Sequence, residues 1–554
     1  MKRQYFFFSL ILFFLIISLL YPISYVIFHS FFHNGKFTFD ILKIVIGNYV
    51  LRKSILNSFL LGMTVVLTTS IIGIPLAFVF DRFKFKGKTI LKILFLLPMI
   101  SSPFVGGIGI KQVLSRFGSL NILLIKLGII KNPISFIGSG FLGIVILQTL
   151  HLYPIMFLNI LSSLNNFDTS TEEASYNLGA KWYHTFFKIT FPLILPGYFS
   201  ASSIIFIWSI TDLGTPLIFE YNQLISVRIF NAIKDINTNP TGYALVFIIL
   251  FITLLIFILT KKFIEKKFYT TGKTSISFTE KKLTGIKLFL LYLILLSILF
   301  LSLIPHITLF LYSISKKWFF SVLPTEYTTE YYRIVFTHKL TKIGISNSLL
   351  YSFLSTMIDI FVGFYIGYIL VRWKIKGKSM LDILSMMPLL IPGIVIAFGY
   401  VTTFSNTILD PMRNPIFLII LSYSLRRIPY IVRTTYSSLL QLDQSLEEAS
   451  YSLGADISTT FKKILFPFVS PGIFAGGILA FAFSLLEVSC SLILAIREKF
   501  YSISKVIYIL AGRVTDGPNT ACALGIIAIF IVGISLFVSI KIFSKKIGEF
   551  FRIG

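Results

Sequence analysis

The chain has 554 residues, 55% of them hydrophobic and only 13% charged, with a net charge of +27 at pH 7. A soluble domain carries about 25% charged residues, so the composition excludes one. Lys and Arg cluster in short stretches between apolar runs, the positive-inside pattern of a membrane protein rather than a nucleic-acid surface. The two cysteines, Cys490 and Cys522, lie in or beside apolar runs and offer neither a disulfide framework nor metal-ligand spacing.

Apolar runs of about 20 residues, the length that crosses about 30 Å of hydrocarbon, recur along the chain. The first, 5–28, follows Lys2 and Arg3 and is too long for a signal-peptide core, so it reads as a retained span. Further runs at 54–80, 90–112, 136–163, 198–219, 243–264, 286–312, 345–371, 380–404, 413–440, 473–496 and 521–543 give about twelve transmembrane helices. The fold class is therefore an all-α polytopic membrane protein, embedded in lipid. An inside N-terminus makes the basic loops 81–89 and 372–379, the charged segment 261–285 and the C-terminal tail cytosolic. The expected location is the plasma (inner) membrane, multi-pass, with both termini cytosolic and no nucleic-acid partner.

The chain repeats itself. Glu-Glu-Ala-Ser-Tyr-Asn-Leu-Gly at 172–179 returns at 447–454 with one change, 275 residues on. Earlier matches, Asn57-Ser58 with Asn347-Ser348, Lys86-Gly87-Lys88 with Lys376-Gly377-Lys378 and Pro98 with Pro388, are 290 apart, so the first copy holds 15 extra residues around 113–135. Equivalent spans lie an even number apart, which makes the repeat parallel. The expected domains are 1–260 with a polar loop at 164–197, a linker at 261–285, and 286–554 with a polar loop at 441–472.

Each polar loop reads as two short helices. Ser170-x-x-Glu173 and Ser445-x-x-Glu448 fit a capping box, and Gly179 and Gly454 suit a left-handed helix end. A second helix follows from Ala180 or Ala455, which Pro192 or Pro467 is expected to stop. A capped helix–turn–helix at a membrane face can enter a groove on a soluble partner.

This loop resembles a known family. The pattern Glu-Ala-Ala-x3-Gly-x9-Ile-x-Leu-Pro marks the permease subunits of binding-protein-dependent ATP-binding-cassette importers. Glu173-Ala174-Ser175, Gly179, Ile189 and Pro192 fit it, as do Glu448-Ala449-Ser450, Gly454, Ile464 and Pro467, with Ser for the second Ala and Phe191 or Phe466 for Leu. The resemblance implies that Glu172, Glu173, Ala174, Ser175, Gly179 and Pro192, and Glu447, Glu448, Ala449, Ser450, Gly454 and Pro467, form two coupling loops. These would dock two copies of an ABC ATPase subunit. A periplasmic or lipid-anchored solute-binding protein would deliver the cargo, and ATP and Mg would be held by the ATPase, with no cofactor on this chain. Two fused units look most like the ferric-iron permease group; thiamine, aminoethylphosphonate and polyamine importers are the alternatives for cargo.

The 275 offset also pairs Asp212 with Glu487 and Ser209 with Ser484. Acids in lipid are costly and face a bundle interior or a wet path, so these four residues are candidates for the translocation path. A structural ion pair or helix cap is the competing reading, with Arg426, Arg427 and His151 as possible partners. Asp212-Leu-Gly-Thr-Pro216 also resembles the Asp-Phe-Gly-Thr/Asn-Pro string of iron-type permeases. His29 and His33, four apart without a third ligand, read as interfacial polarity rather than a metal site.

Two other classes fit poorly. Gly272-Lys273-Thr274 lacks the first glycine of a phosphate loop, since position 267 is Lys267; hydrolysis would need a separate subunit. A twelve-helix secondary transporter is the main rival, but Asp81-Arg82 and Gly87-Lys88 miss its signature spacing and the second copy has Val371 in place of the acid.

Overall fold

The computed structural model describes residues 2–33, 35–99, 103–166, 170–235, 239–267, 281–513 and 517–543. Within the expected linker, 268–280 lies outside the described residues. The described chain is helical apart from three short two-stranded ladders. Among the described residues, ten helices are long and apolar enough to cross a membrane, and one bent pair makes eleven.

Spans 1 and 2 are Gln4–Phe31 and Tyr49–Arg82. In the region of span 3, Lys88–Leu96 and Leu97–Met99 precede the helix Pro103–Leu114, and Phe104–Lys126 is the stretch long and apolar enough to cross. Spans 4 to 8 are Phe141–Asn165, Trp182–Thr211, Thr241–Lys267, Gly285–Ser313 and Lys339–Arg372. Span 9 is a bent pair, Lys378–Leu389 turning by 102° into Gly393–Phe404. Spans 11 and 12 are Ile457–Leu485 and Gly517–Phe543. Span 10, Ile416–Gln441, has 26 residues, enough for about 39 Å of helix. Its arginines 426, 427 and 433 keep it out of the apolar set, and it alone separates the expected twelve from eleven. The extra residues of the first repeat form the helix Ser119–Lys126 and its flanking turns.

The repeated Lys-Gly-Lys motif turns the chain between spans. Gly87 and Gly377 take φ +74° and +89°, where a side chain is disfavoured. The following lysines, Lys88 and Lys378, donate to the carbonyls of Phe83 and Leu370 at 3.1 and 3.2 Å.

Packing divides the chain into two compact units that cross the sequence repeat. One combines Met1–Tyr49, Arg228–Leu250 and Thr329–Ile547; the other combines Val50–Val227 and Phe251–Thr328. Each leading helix thus packs with the opposite repeat. In the first unit, a π-helical turn at Ile16–Leu20 precedes Pro22, which has no N–H for the Ser18 carbonyl four residues back. The Tyr400 hydroxyl donates to that carbonyl at 2.9 Å. In the second unit, span 7 closes on Gly109, where a Cβ would lie 2.8 Å from the Pro305 carbonyl oxygen.

Lipid-facing surfaces give no hydrophobic drive for helix association, so small residues set the crossings. The same crossings recur in both repeats. A Cβ on Gly73 would lie 2.8 Å from Met156 Cβ, and one on Gly363 would lie 2.6 Å from Ile431 Cβ; these bring span 2 to span 4 and span 8 to span 10. Gly197 and Gly472, of the repeated Pro-Gly pairs, sit where a Cβ would meet Ser163 Oγ at 2.0 Å and Ser438 Oγ at 2.5 Å.

Gly363→Ala should therefore destabilise the protein by about 1–3 kcal/mol through overpacking. Gly533→Ala, where a Cβ meets nothing within 4 Å, should be neutral or mildly stabilising. Thermal unfolding of the detergent-purified variants, followed by the loss of the monodisperse size-exclusion peak, measures both; equal melting temperatures would refute the crossing argument.

Candidate functional site

Both polar loops fold the same way. Their first helices are Ser170–Asn177 and Ser445–Ser452. Each ends on a left-handed glycine, Gly179 at φ +82° and Gly454 at φ +84°. Gly179 donates to the Tyr176 carbonyl at 2.9 Å and Ala180 to that of Ser175 at 3.1 Å; Gly454 and Ala455 repeat this with Tyr451 and Ser450 at 3.0 and 3.1 Å. That is a Schellman termination in each copy. A Cβ on either glycine would meet nothing within 4 Å, so the requirement lies in the backbone alone.

Two local expectations change. The capping box does not form in the second copy: Ser445 is already the first helical residue, and the Asp443 carboxylate accepts its N–H at 2.9 Å. The equivalent residue of the first copy, Asp168, lies outside the described residues. Nor do the prolines stop the second helix. Trp182–Thr185 and Ile457–Thr460 pass through π-helical turns at Phe186–Thr190 and Phe461–Leu465 directly into spans 5 and 11. The wide turn leaves room just ahead of Pro192 and Pro467, whose missing N–H breaks the regular ladder.

The consecutive acids of each loop face opposite ways. Glu172 and Glu447 are buried, whereas Glu173 and Glu448 are exposed, as are Ala174 and Ala449. Glu172 receives Arg82 Nη2, at the end of span 2, at 2.7 Å, and the Thr190 hydroxyl. Glu447 receives Arg372 Nε, at the end of span 8, at 2.6 Å. The second Arg372 nitrogen, Nη2, donates to the Leu442 carbonyl at 2.9 Å. Beside this pair, Leu439, Leu442, Leu465, Val469 and Ile473 form an apolar cluster. Ser175 and Thr185, and Ser450 and Thr460, hydrogen-bond at 2.9 Å and tie the two helices of each loop together. The serine that departs from the family pattern is thus used structurally. Leu178 and Leu453, just before the glycines, are 89% and 88% exposed.

Sequence reasoning missed Arg82, Arg372, Thr185, Thr460, Leu178 and Leu453. The signal was there: Arg82 and Arg372 are 290 apart and Thr185 and Thr460 are 275 apart, as the repeat requires. Basic residues at a span end read as charge bias, which hides a specific partner.

The equivalent acids differ in their surroundings. Asp212 follows the last helical residue of span 5; its carboxylate accepts the Gly214 N–H at 3.0 Å and the Gln148 amide at 3.1 Å. Glu487 is buried and bound by Arg426 Nη1 and, at 3.0 Å, by Arg427 Nη2. Ser209 and Ser484 are buried: the Ser209 carbonyl accepts from Gln148 at 3.4 Å, and the Ser484 hydroxyl accepts from Ser355 at 3.5 Å. His151 does not pair with Asp212. Its Nδ1 donates to the Pro98 carbonyl at 2.8 Å. A further acid, Asp359 of span 8, is fully buried with Ser424 and Arg427 as its polar neighbours; the first repeat has Thr69 at that position. His29 stacks against Tyr25 and Tyr243, and no three His, Cys, Asp or Glu side chains converge among the described residues.

A family model for the binding-protein-dependent transport system inner membrane component matches residues 45–268 and 359–549. A putative ferric transport system permease protein of Haemophilus influenzae is 29% identical over 88% of this chain and 77% of its own length. A ferric transport system permease protein of Actinobacillus pleuropneumoniae is 29% identical over 94% of this chain and 75% of its own. A molybdate/tungstate transport system permease protein of Pyrococcus abyssi is 32% identical over 28% of this chain and 61% of its own. With two family segments in one polypeptide, each carrying the same loop, the chain belongs to the inner-membrane components of binding-protein-dependent transport systems, as a fused two-unit permease subunit of an ABC importer.

Proposed function

We propose that this permease imports ferric iron, driven by two copies of one ATPase docked on the two loops. The observation that carries the docking is the duplicated loop: the same Schellman turn, the same serine–threonine tie and the same exposed leucine, built twice. An apolar side chain held 89% exposed on a rigid turn is costly in water and suited to a partner's groove. The loops and both termini face the cytosol, and a solute-binding protein meets the opposite face. ATP-driven closure of the ATPase pair moves both loops and shifts the halves between outward- and inward-facing states.

Support for iron comes from the two ferric relatives, whose likeness extends over most of the chain; the molybdate/tungstate relative matches a much shorter part. Asp212 is the better candidate of the two equivalent acids for the translocation path. It is held by an amide and a backbone N–H, with its charge unopposed by either, whereas Glu487 is neutralised by two guanidiniums.

Leu178→Glu combined with Leu453→Glu should lower the ATPase recovered with the affinity-purified permease by at least about tenfold, the scale of losing a buried apolar anchor. Unchanged recovery would remove the docking role. Asp212→Asn should lower ferric uptake with unchanged permease yield. Glu487→Gln should instead lower the folded yield, since breaking a buried pair costs about 3–5 kcal/mol; Asp212→Asn with full uptake would remove Asp212 from the path. The cargo itself is tested by titrating the cognate solute-binding protein with ferric iron, thiamine, 2-aminoethylphosphonate, spermidine and molybdate. Selective binding of any one of these other than iron overturns the iron assignment.

A further inference from the structure

We propose that the two buried arginine–glutamate pairs are the positioning devices that fix each coupling loop to the end of an earlier span, span 2 for the first loop and span 8 for the second. Movement of the loop is thereby passed to span 2 through Arg82–Glu172 and to span 8 through Arg372–Glu447. This inference rests on the importer reading and adds the residues that transmit the stroke.

Several observations converge on these pairs. Arg82 and Arg372 are the last residues of their helices, and their partners are the inward-facing acids of the loops. Side-chain exposure is 14% and 4% for Arg82 and Glu172, and 9% and 7% for Arg372 and Glu447. At that burial the pairs are shielded from the solvent screening that makes surface ion pairs weak. The guanidinium is used as a fork: Arg82 also holds Asp81 at 3.0 Å through Nε, and Arg372 also holds the Leu442 carbonyl at 2.9 Å. A lysine has one donor centre and cannot reproduce that two-point grip. The Thr190 hydroxyl and Arg82 converge on Glu172 from the start of span 5 and the end of span 2, so one carboxylate joins three elements.

The interaction recurs although the two halves reach it differently. Asp81 and Thr190 of the first repeat become Val371 and Leu465 in the second, and Arg372 takes a backbone carbonyl in place of the acid. The arginine and the glutamate are what both arrangements share. By contrast, Glu173 and Glu448, one residue on, face solvent and are free to meet the partner.

The test uses the full chain in lipid nanodiscs with paired nitroxide labels. Leu178→Cys with Ile71→Cys reports the first loop against span 2, and Leu453→Cys with Phe361→Cys reports the second against span 8; all four sites are exposed and both native cysteines are buried. Pulsed dipolar spectroscopy should give one narrow distance for each pair. Arg82→Gln should broaden only the first distance and Arg372→Gln only the second. The charge exchange Arg82→Glu with Glu172→Arg should narrow the first again. If Arg82→Gln reduces the folded yield, Arg82→Lys, which keeps the charge and loses the fork, is expected to broaden the same distance.

In the complex with its ATPase, Arg82→Gln and Arg372→Gln together should leave ATPase recovery unchanged. Uptake should fall by about tenfold or more, the scale of a lost coupling free energy. Unchanged distances in the single variants, or full uptake in the double variant, would overturn the proposal. Failure of the unaltered chain to retain any ATPase would instead overturn the docking of an ATPase on these loops and leave the distance result standing.

Discussion

A guanidinium and a carboxylate removed from water at the end of a membrane helix are costly apart and tolerable together. The Arg82–Glu172 and Arg372–Glu447 pairs set where each polar loop begins relative to the bundle. The rest of the loop follows from that anchor. With one acid turned inward, the eight-residue helix has a fixed roll, and its neighbour Glu173 or Glu448 must face out. The Schellman turn then reverses the chain, and the serine–threonine bond locks the second helix onto the first. A π-helical turn carries that second helix into the membrane without interruption. Each loop is thus a rigid bracket rooted in two spans, which a flexible tether could not be.

The repeat keeps its scaffold and varies its interior chemistry. Glycine crossings, loop turns and ion pairs recur at the 290 and 275 offsets, because each depends on backbone approach or on a buried charge that tolerates little substitution. The acids near the ends of spans 5 and 11 diverge. Glu487 is held by two arginines, with the buried Asp359 of span 8 beside Arg427. Asp212 has Gln148 and a helix start instead. Two halves with one frame and unequal interiors can move alike while offering a passing solute different surfaces.

Much of this was legible in the sequence, for physical reasons. Apolar run length fixes span number, and span 10 is where it becomes ambiguous, since three arginines depress its apolarity without shortening the helix. Left-handed glycines at 179 and 454 were predictable because nothing else ends a helix so cheaply. In the second loop the capping box fails because Asp443, two residues before Ser445, takes the Ser445 N–H, and local sequence alone does not rank such competitors. The prolines failed as stops because a π-turn absorbs the missing donor, a solution visible only in three dimensions. The exchange of spans 1 and 7 between units depends on contacts far apart in the chain, such as Tyr400 with Ser18, which no periodicity encodes.

The two loops differ where they could still touch a partner, and this constrains recognition. Lys181 and Trp182 of the first correspond to Asp456 and Ile457 of the second, a reversal of charge and a change of shape. Asp456 is engaged locally: it accepts the Thr459 N–H at 3.0 Å, and hydrogen bonds from Thr459 hold its carboxyl below the usual range. If identical ATPase copies accept both loops, those positions cannot be what the groove reads. The features common to both exposed faces are Glu173 or Glu448, Ala174 or Ala449, Tyr176 or Tyr451, Leu178 or Leu453, and Lys188 or Lys463. Recognition by one groove must draw on that shared set, presented by a turn whose glycine takes φ +82° in one copy and +84° in the other.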